Sequence, residues 1–372
     1  MAELARDDLR AAVAAGVLSE AQASRLVALA EARAGWRGAM ADDDEPFELF
    51  RGFNEVFVAL GVGLLGAGVW TLALLQGIGA SAPQALAALA AWLLAEYLTR
   101  RRRMVLPSLL LAVGFVAPAA GLAGTQAMAW LLRTTESGRL GEMMATGGFG
   151  ETIGLAACLG GALAALAFYL RFRLPFAVFL VALAGFAAAL IAGGLLSPAR
   201  IVQSGGVRLA NLFDLRAQAG LGLVTLGFGL ACFAVAMAFD LRDPHRVSRL
   251  SACGFWLHLI AAPAIVNTLA VSAWGLPGAA GSVALGLAVA AMAAVALVID
   301  RRSFLMATVV WLAVLLGSAF GAGTMATALL LLALGAFLTA TGAGWAALRG
   351  RLMAALPDFP AKDRLPPWSA PA

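Results

Sequence analysis

Residues 279–299 read AAGSVALGLAVAAMAAVALVI, a run of 21 residues without a charged side chain. At a rise of about 1.5 Å per residue, a helix of this length extends about 30 Å, which is the thickness of the hydrocarbon core of a bilayer. Asp300, Arg301 and Arg302 follow the run directly. This stretch therefore predicts a transmembrane helix whose C-terminal end lies at a membrane surface.

Nine further apolar segments accompany it, so the sequence predicts ten transmembrane helices. The chain of 372 residues is 62% hydrophobic and 13% charged, whereas a soluble domain is roughly half apolar and about a quarter charged. This composition excludes a soluble enzyme, a disordered chain and a disulfide scaffold, and it predicts an all-α polytopic transmembrane bundle. The third segment is long and contains Pro118, so it is either kinked or extends beyond the membrane. The ten segments are 54–76, 82–99, 105–132, 150–170, 174–195, 218–240, 250–272, 279–299, 303–321 and 325–348.

Arginine placement predicts the orientation of these helices. Thirteen arginines lie in five short connections or flanks on one side, whereas the opposite connections hold five, all in the two longest loops. Because basic residues in short loops mark the cytoplasmic face, we expect both termini to be cytoplasmic in a bacterial inner membrane. The same placement explains the basic composition without nucleic-acid binding. The thirteen are Arg100, Arg101, Arg102, Arg103, Arg171, Arg173, Arg242, Arg246, Arg249, Arg301, Arg302, Arg349 and Arg351.

The N-terminal region differs from the rest in charge. Residues 1–52 hold ten acidic residues against six arginines, which gives a net charge of −4, while the remainder is at +9. Residues 1–40 are predicted to form a cytoplasmic helical hairpin, with Gly16 ending the first helix and Ser19 with Gln22 forming a capping box for the second. Such a hairpin is too short to hold much core, so we expect it to pack on the membrane domain or bind a protein partner.

An acidic linker with an aromatic stripe, residues 41–53, follows the hairpin. Its phenylalanines continue at helical spacing into the next segment, which suits a helix lying in the membrane interface or, equally, the start of the first transmembrane helix. Residues 54–348 then form the predicted transmembrane domain, and residues 349–372 form a cytoplasmic tail. The stripe consists of Phe47, Phe50, Phe53 and Phe57.

Two stretches resemble a known family. Residues 9–23, LRAAVAAGVLSEAQA, are similar to the opening hairpin of the bacterial membrane-protein family called domain of unknown function 2157. The segments DEPF at 44–47, RGFNE at 51–55 and FWLHLIAAP at 255–263 resemble related proteobacterial proteins. The resemblance implies an N-terminal hairpin followed by many apolar helices. It transfers no activity, because the role of that family is undefined.

A repeated two-helix unit is also predicted. Arg100, Arg171 and Arg242 are each 71 residues apart. Each precedes a Gly-Phe pair in the next apolar segment, beginning at residues 114, 185 and 254. Two landmarks in register over three copies favour a duplicated unit, which is common in transporters and equally compatible with a scaffold.

Three polar residues within the apolar segments form the candidate substrate or proton site: His258, Asn267 and Gln126. His258 lies well inside its helix, five residues before Pro263, and an ionisable side chain there must face the protein interior and have a partner. That partner is expected to be Thr125 or Gln126 of a related repeat. His258 is then either a proton-linked site or a neutral histidine that joins helices.

Three acidic residues, Glu96, Asp240 and Asp300, lie near the cytoplasmic ends of their segments. Ion pairs with their own neighbouring arginines are expected, in preference to an acidic catalytic cluster. The sequence contains no nucleophile motif, HExxH or Walker loop, and with two histidines it predicts no metal or other cofactor. GVGLLG at 61–66 lies within an apolar helix, so it indicates helix packing and no nucleotide site.

The function predicted from these features is a non-enzymatic membrane scaffold or sensor with a partner-binding hairpin. The alternative is a small-solute or ion transporter with its site near His258. A membrane-embedded enzyme is the third reading.

Overall fold

The computed structural model describes residues 6–19, 22–23, 26, 53–75, 79, 81–195, 212–217, 219–244, 246, 249–321, 323–366 and 368. Thirteen α-helices lie in these ranges, and we number them in chain order. They are α1 (Arg6–Ala14), α2 (Phe53–Leu75), α3 (Ser81–Ala95), α4 (Val105–Thr134), α5 (Ser137–Thr146), α6 (Gly148–Phe172), α7 (Phe176–Ala192), α8 (Ala219–Asp240), α9 (Arg249–Trp274), α10 (Ala279–Ile299), α11 (Arg302–Phe320), α12 (Thr324–Ala343) and α13 (Trp345–Ala355).

The predicted all-α bundle is confirmed, and each of the ten apolar segments coincides with a helix. Eight helices are long and apolar enough to cross a membrane: α2, α4, α6 and α8–α12. The other two are α7, with 17 residues, and α3, which continues directly into a π-helix over Glu96–Arg101.

The bundle core has two main parts joined through α7. One part lies between α3, α4, α6 and α7, where Leu111, Ala165 and Phe168 are buried. The other lies between α9, α10, α11 and α13 around Phe304. Helix α7 joins them because its Ala182 packs with buried residues of α8 and α9. Side chains on these faces are small or apolar, which suits helices that associate within lipid by close packing.

Glycines allow two of these helices to approach closely. A Cβ atom added to Gly160 of α6 would lie 2.4 Å from the Cβ of Ala123 in α4, and one on Gly161 would lie 3.1 Å from that of Ala120. These small residues let α6 and α4 pack closely along one face. Around Gly63, in the GVGLLG stretch of α2, the space is open to 4 Å within the described chain.

Two regions differ from the sequence prediction, and a third settles an alternative that the sequence left open. The third segment forms one continuous helix, α4, whose 30 residues include Pro118, so it extends beyond a 30 Å core. The long connection that follows contains the amphipathic helix α5. The tenth apolar helix ends at Ala343, and a new helix, α13, covers residues that we expected to divide between the last span and the tail.

Residues Met1–Phe47 form a compact unit of their own, and residues Glu48–Ala372 form the second. In the first unit α1 precedes Gly16, whose φ of 71° lies in the left-handed region that ends helices. The capping box is confirmed: the Ser19 amide donates to Gln22 Oε1 at 2.9 Å, and the Gln22 amide donates to Ser19 Oγ at 3.2 Å. The rest of the predicted second helix, and Phe47 and Phe50, lie outside the described residues.

Candidate functional site

The most polar part of the bundle interior lies where α8, α9 and α11 meet. Asp240 is the last residue of α8, Ser251 and His258 lie on α9, and Arg301 immediately precedes α11. These four residues form what we call the Asp240 cluster. Their elements are apolar helices, so the cluster is set into the bundle at the ends of otherwise uncharged segments.

Asp240 is the centre of this cluster. Its Oδ2 lies 2.9 Å from His258 Nε2 and 3.0 Å from Arg301 Nε, while its Oδ1 accepts from Arg301 Nη2 at 2.5 Å. The same Nη2 is 3.1 Å from the backbone oxygen of Ser251 and 3.3 Å from its hydroxyl. The guanidinium thus binds the carboxylate with two parallel contacts, the strongest geometry for such a pair.

These side chains are closed off from the surroundings. His258 is 0% exposed, Arg301 1% and Asp240 4%. The rings of Phe233 and Phe304 lie edge-on to the imidazole, at centroid distances of 5.6 and 5.8 Å. A charge buried to this degree is stable only when it is paired, so each partner of the Asp240–Arg301 pair depends on the other.

Gly254 explains how Asp240 reaches α9. A Cβ atom added there would lie 2.5 Å from Asp240 Oδ1 and 3.4 Å from the backbone oxygen of Ala236. Any larger side chain would push α8 and α9 apart at this point. One glycine of the Gly-Phe pairs thus has a physical role, although the repeat itself stays a prediction.

A second cluster adjoins the first along the chain. Asp300 ends α10 in a left-handed conformation, with φ of 56°. Its carboxylate accepts from Trp345 Nε1 at 2.7 Å and pairs with Arg246 at 3.0 Å. Arg349 Nε lies 3.9 Å away and donates to the backbone oxygen of Leu297 at 3.0 Å. We call Arg246, Asp300, Trp345 and Arg349 the Asp300 cluster.

Two glutamates make further links between helices. Glu96 accepts from Arg171 Nε at 2.7 Å and Nη2 at 2.9 Å, which joins the ends of α3 and α6. Glu55 is 6% exposed, and its Oε2 accepts from the backbone amides of Val105 and Leu106 at 3.0 and 3.2 Å. Glu55, at the start of α2, thus caps the start of α4.

The ion pairs of Asp240 and Asp300 were predicted with the wrong partners. Adjacent arginines in the sequence were expected to neutralise both carboxylates. Asp240 instead pairs with Arg301, 61 residues later, and Asp300 pairs with Arg246, 54 residues earlier. Glu96 contacts a near neighbour, Arg100, at 3.4 Å. The buried contacts of Asp240 and Asp300 are therefore completed by arginines from distant parts of the sequence, which the fold brings to the same place.

The three site residues predicted from the sequence do not form one site. His258 has Asp240 as its hydrogen-bond partner, whereas Thr125, a partner expected for it, donates to Gln84 Oε1 at 3.1 Å. Asn267 accepts from Trp311 Nε1 at 2.9 Å. Gln126 is an exposed side chain on α4. Sequence reasoning thus found His258 and missed Arg301, which a search for charged residues at both ends of neighbouring apolar segments could have found.

The chemistry available to the two clusters is ion pairing and hydrogen bonding between helices. Within the described ranges, no group of three or more His, Cys, Asp and Glu residues is placed to hold a metal ion. Asp240 bridges an imidazole and a guanidinium, and Asp300 bridges two arginines and an indole. Together they connect α8, α9, α10, α11 and α13 at one end of the bundle.

Comparison with known proteins adds no further assignment. No family model, no curated protein and no solved structure matches this chain. The resemblance of the N-terminal hairpin to the family called domain of unknown function 2157 therefore stays a prediction.

Proposed function

We propose that this chain is a multi-pass protein of the bacterial inner membrane that acts as a non-enzymatic scaffold or sensor. In this proposal both termini are cytoplasmic, and the N-terminal hairpin binds a protein partner. The eight long apolar helices are compatible with an integral membrane protein. The observation that carries the finer proposal is the apolar surface of the hairpin.

That surface includes Val17, which is 74% exposed, and Leu26, which is 42% exposed. Val17 lies in the connection between the two predicted helices, and Leu26 lies on the second one. A contiguous exposed apolar patch marks a protein-interaction site, and we propose that these two side chains belong to one. The separate compactness of Met1–Phe47 fits a module that contacts a partner on its own.

The interior of the membrane domain supports a structural role for its charges. The Asp240 and Asp300 clusters lie at helix ends that the sequence predicts to share one side of the membrane. In both clusters, acidic groups pair with basic groups of other helices or connections. His258, the most promising transport residue, is fully buried against aromatic rings. A transported hydrophilic solute needs a polar path, whereas a scaffold needs a rigid base for its soluble module.

A transporter is the second candidate, and one observation favours it. His258 and Asp240 are an ionisable pair inside an apolar bundle, and Pro263 follows one helical turn later on α9. Such pairs occur in proton-coupled transporters, where helix breaks near the site open an access route. If His258→Gln abolished a pH-dependent flux in vesicles while the protein stayed folded, transport would replace the scaffold proposal.

In-cell crosslinking tests the proposal directly. A photoreactive amino acid at position 17 of the full-length protein should form one discrete adduct with a partner protein. The same residue at position 11, an exposed alanine on α1, is the matched control and should give less of it. Val17→Asp should reduce capture by a crosslinker at position 26. Equal, diffuse crosslinking from all three positions would contradict a partner-binding hairpin.

A further inference from the structure

The end of α3 has an uncommon backbone. Glu96–Arg101 forms a π-helix, and the Arg102 amide donates to the Tyr97 carbonyl five residues earlier, at 3.0 Å. π-Helical turns are rare and often occur at functional sites, because the wider turn changes which side chains lie beside one another. Here the wide turn leads directly into four consecutive arginines, residues 100–103.

These arginines are only partly neutralised. Glu96 is bound through both oxygens by Arg171, and Arg100 contacts it more weakly at 3.4 Å. Arg102 donates to the Tyr97 hydroxyl at 3.0 Å and lies over its ring at 5.5 Å. Two guanidinium groups, those of Arg171 and Arg100, thus share the one carboxylate of Glu96.

A recess lies against this turn, and both polar and apolar residues line it. Its lining residues are Leu93, Glu96, Tyr97, Arg100 and Arg101. Leu93 is 60% exposed and Tyr97 45% exposed. Along the helix, an apolar side chain, an interfacial phenol and two guanidiniums follow one another within nine residues. A phospholipid presents the same order: acyl chain, glycerol region and phosphate.

We propose that this recess binds the headgroup of an anionic phospholipid, with Arg100 and Arg101 on the phosphodiester and Leu93 along an acyl chain. Arg102 is held by Tyr97 and shapes the site. Because Arg171 already occupies the Glu96 carboxylate, that residue presents little negative charge to the lipid. The proposal rests on the proposed membrane orientation, in which this end of α3 lies at the cytoplasmic surface, where anionic lipids make the surface potential negative.

Lipid titration of the purified full-length protein tests the site. Native mass spectrometry with phosphatidylglycerol, phosphatidylcholine and inorganic phosphate measures each affinity separately. We expect phosphatidylglycerol to bind most tightly and Arg100→Gln with Arg101→Gln to weaken it roughly 30-fold, since each arginine near an anionic lipid surface contributes about fivefold in affinity. The matched control is Arg351→Gln with Arg364→Gln, which removes two exposed arginines elsewhere and should leave binding unchanged.

Three results would overturn the proposal. The site is absent if the Arg100/Arg101 variant binds phosphatidylglycerol like the unaltered protein, or if the control weakens binding equally. A free-phosphate site replaces it if millimolar inorganic phosphate displaces the lipid. If the double variant does not fold, Arg101→Gln alone should still weaken binding about fivefold. No partner protein enters this assay, so its failure leaves the scaffold proposal standing.

Discussion

Replacing Asp240 by asparagine isolates the contribution of one buried charge, because asparagine keeps the shape of the side chain. In the unaltered protein the carboxylate receives two contacts from Arg301 and one from His258, at 2.5 to 3.0 Å. Arg301 is 1% exposed, so Asp240→Asn leaves a buried guanidinium without its counter-charge. Removing one partner of a buried pair costs about 3–5 kcal/mol. We expect a loss of unfolding free energy in that range.

The same argument predicts that the second substitution offsets the first. Arg301→Met removes the cation and keeps a long apolar side chain, so the Asp240→Asn/Arg301→Met protein contains neither buried charge. With both charges removed, no unpaired ion is left in the interior, and that unpaired ion is the main cost of breaking a buried pair. The double variant should therefore be more stable than either single variant, with a coupling energy of about 2 kcal/mol or more.

Unfolding of the purified full-length protein in mixed micelles, followed by circular dichroism as the denaturing detergent fraction rises, gives the four stabilities of this cycle. Asp358→Asn is the control, because Asp358 is fully exposed and pairs with Lys362 at the surface. Its midpoint should match that of the unaltered protein. The reasoning is refuted if Asp240→Asn unfolds like the control, or if the two single effects simply add.

Three further predictions concern contacts around the same bundle. His258→Leu should lower the free energy of unfolding by about 1.5–3 kcal/mol, since it removes a hydrogen bond to a charged acceptor. His258→Gln should retain most of the stability. Equal unfolding midpoints for the two variants would contradict this. Gly254→Ala places a Cβ against Asp240 and should cost about 1–3 kcal/mol. Gly227→Ala on α8 has open space around it and should be neutral or slightly stabilising, because alanine favours the helix more than glycine does. Unfolding measurements in which both behave alike would exclude a tight approach of α8 and α9. Glu55→Ala removes the carboxylate that caps α4 and should lower the free energy of unfolding by about 0.5–2 kcal/mol. The backbone amides of residues 105 and 106 should then exchange hydrogen faster. Unchanged exchange at these amides would refute the capping role.

The ten apolar helices could be predicted because length and hydrophobicity are properties of a segment alone. The capping box at Ser19 was equally local, since its two hydrogen bonds join residues three apart. Helices α5 and α13 were missed because they are short and less apolar than the spans. The local signals of their boundaries are two glycines: Gly147 follows the last residue of α5, and Gly344 precedes the first residue of α13.

The buried charge clusters could be predicted only in part. The depth of His258 in an apolar segment required a polar partner, and that requirement is confirmed by Asp240. The identity of the partner depends on how α8, α9 and α11 meet, which no single segment encodes. Sequence proximity favoured neighbouring arginines, whereas the packed bundle supplies Arg301 from 61 residues away.

Topology mapping tests the central claim, a multi-pass chain with all five arginine-rich connections on the cytoplasmic side. Paired reporters, one active only in the cytoplasm and one only outside it, are fused after Arg139, Leu276 and Arg351 in the full-length protein. We predict external activity at Arg139 and Leu276 and cytoplasmic activity at Arg351. Cytoplasmic activity at all three positions, or external activity at Arg351, would contradict the account.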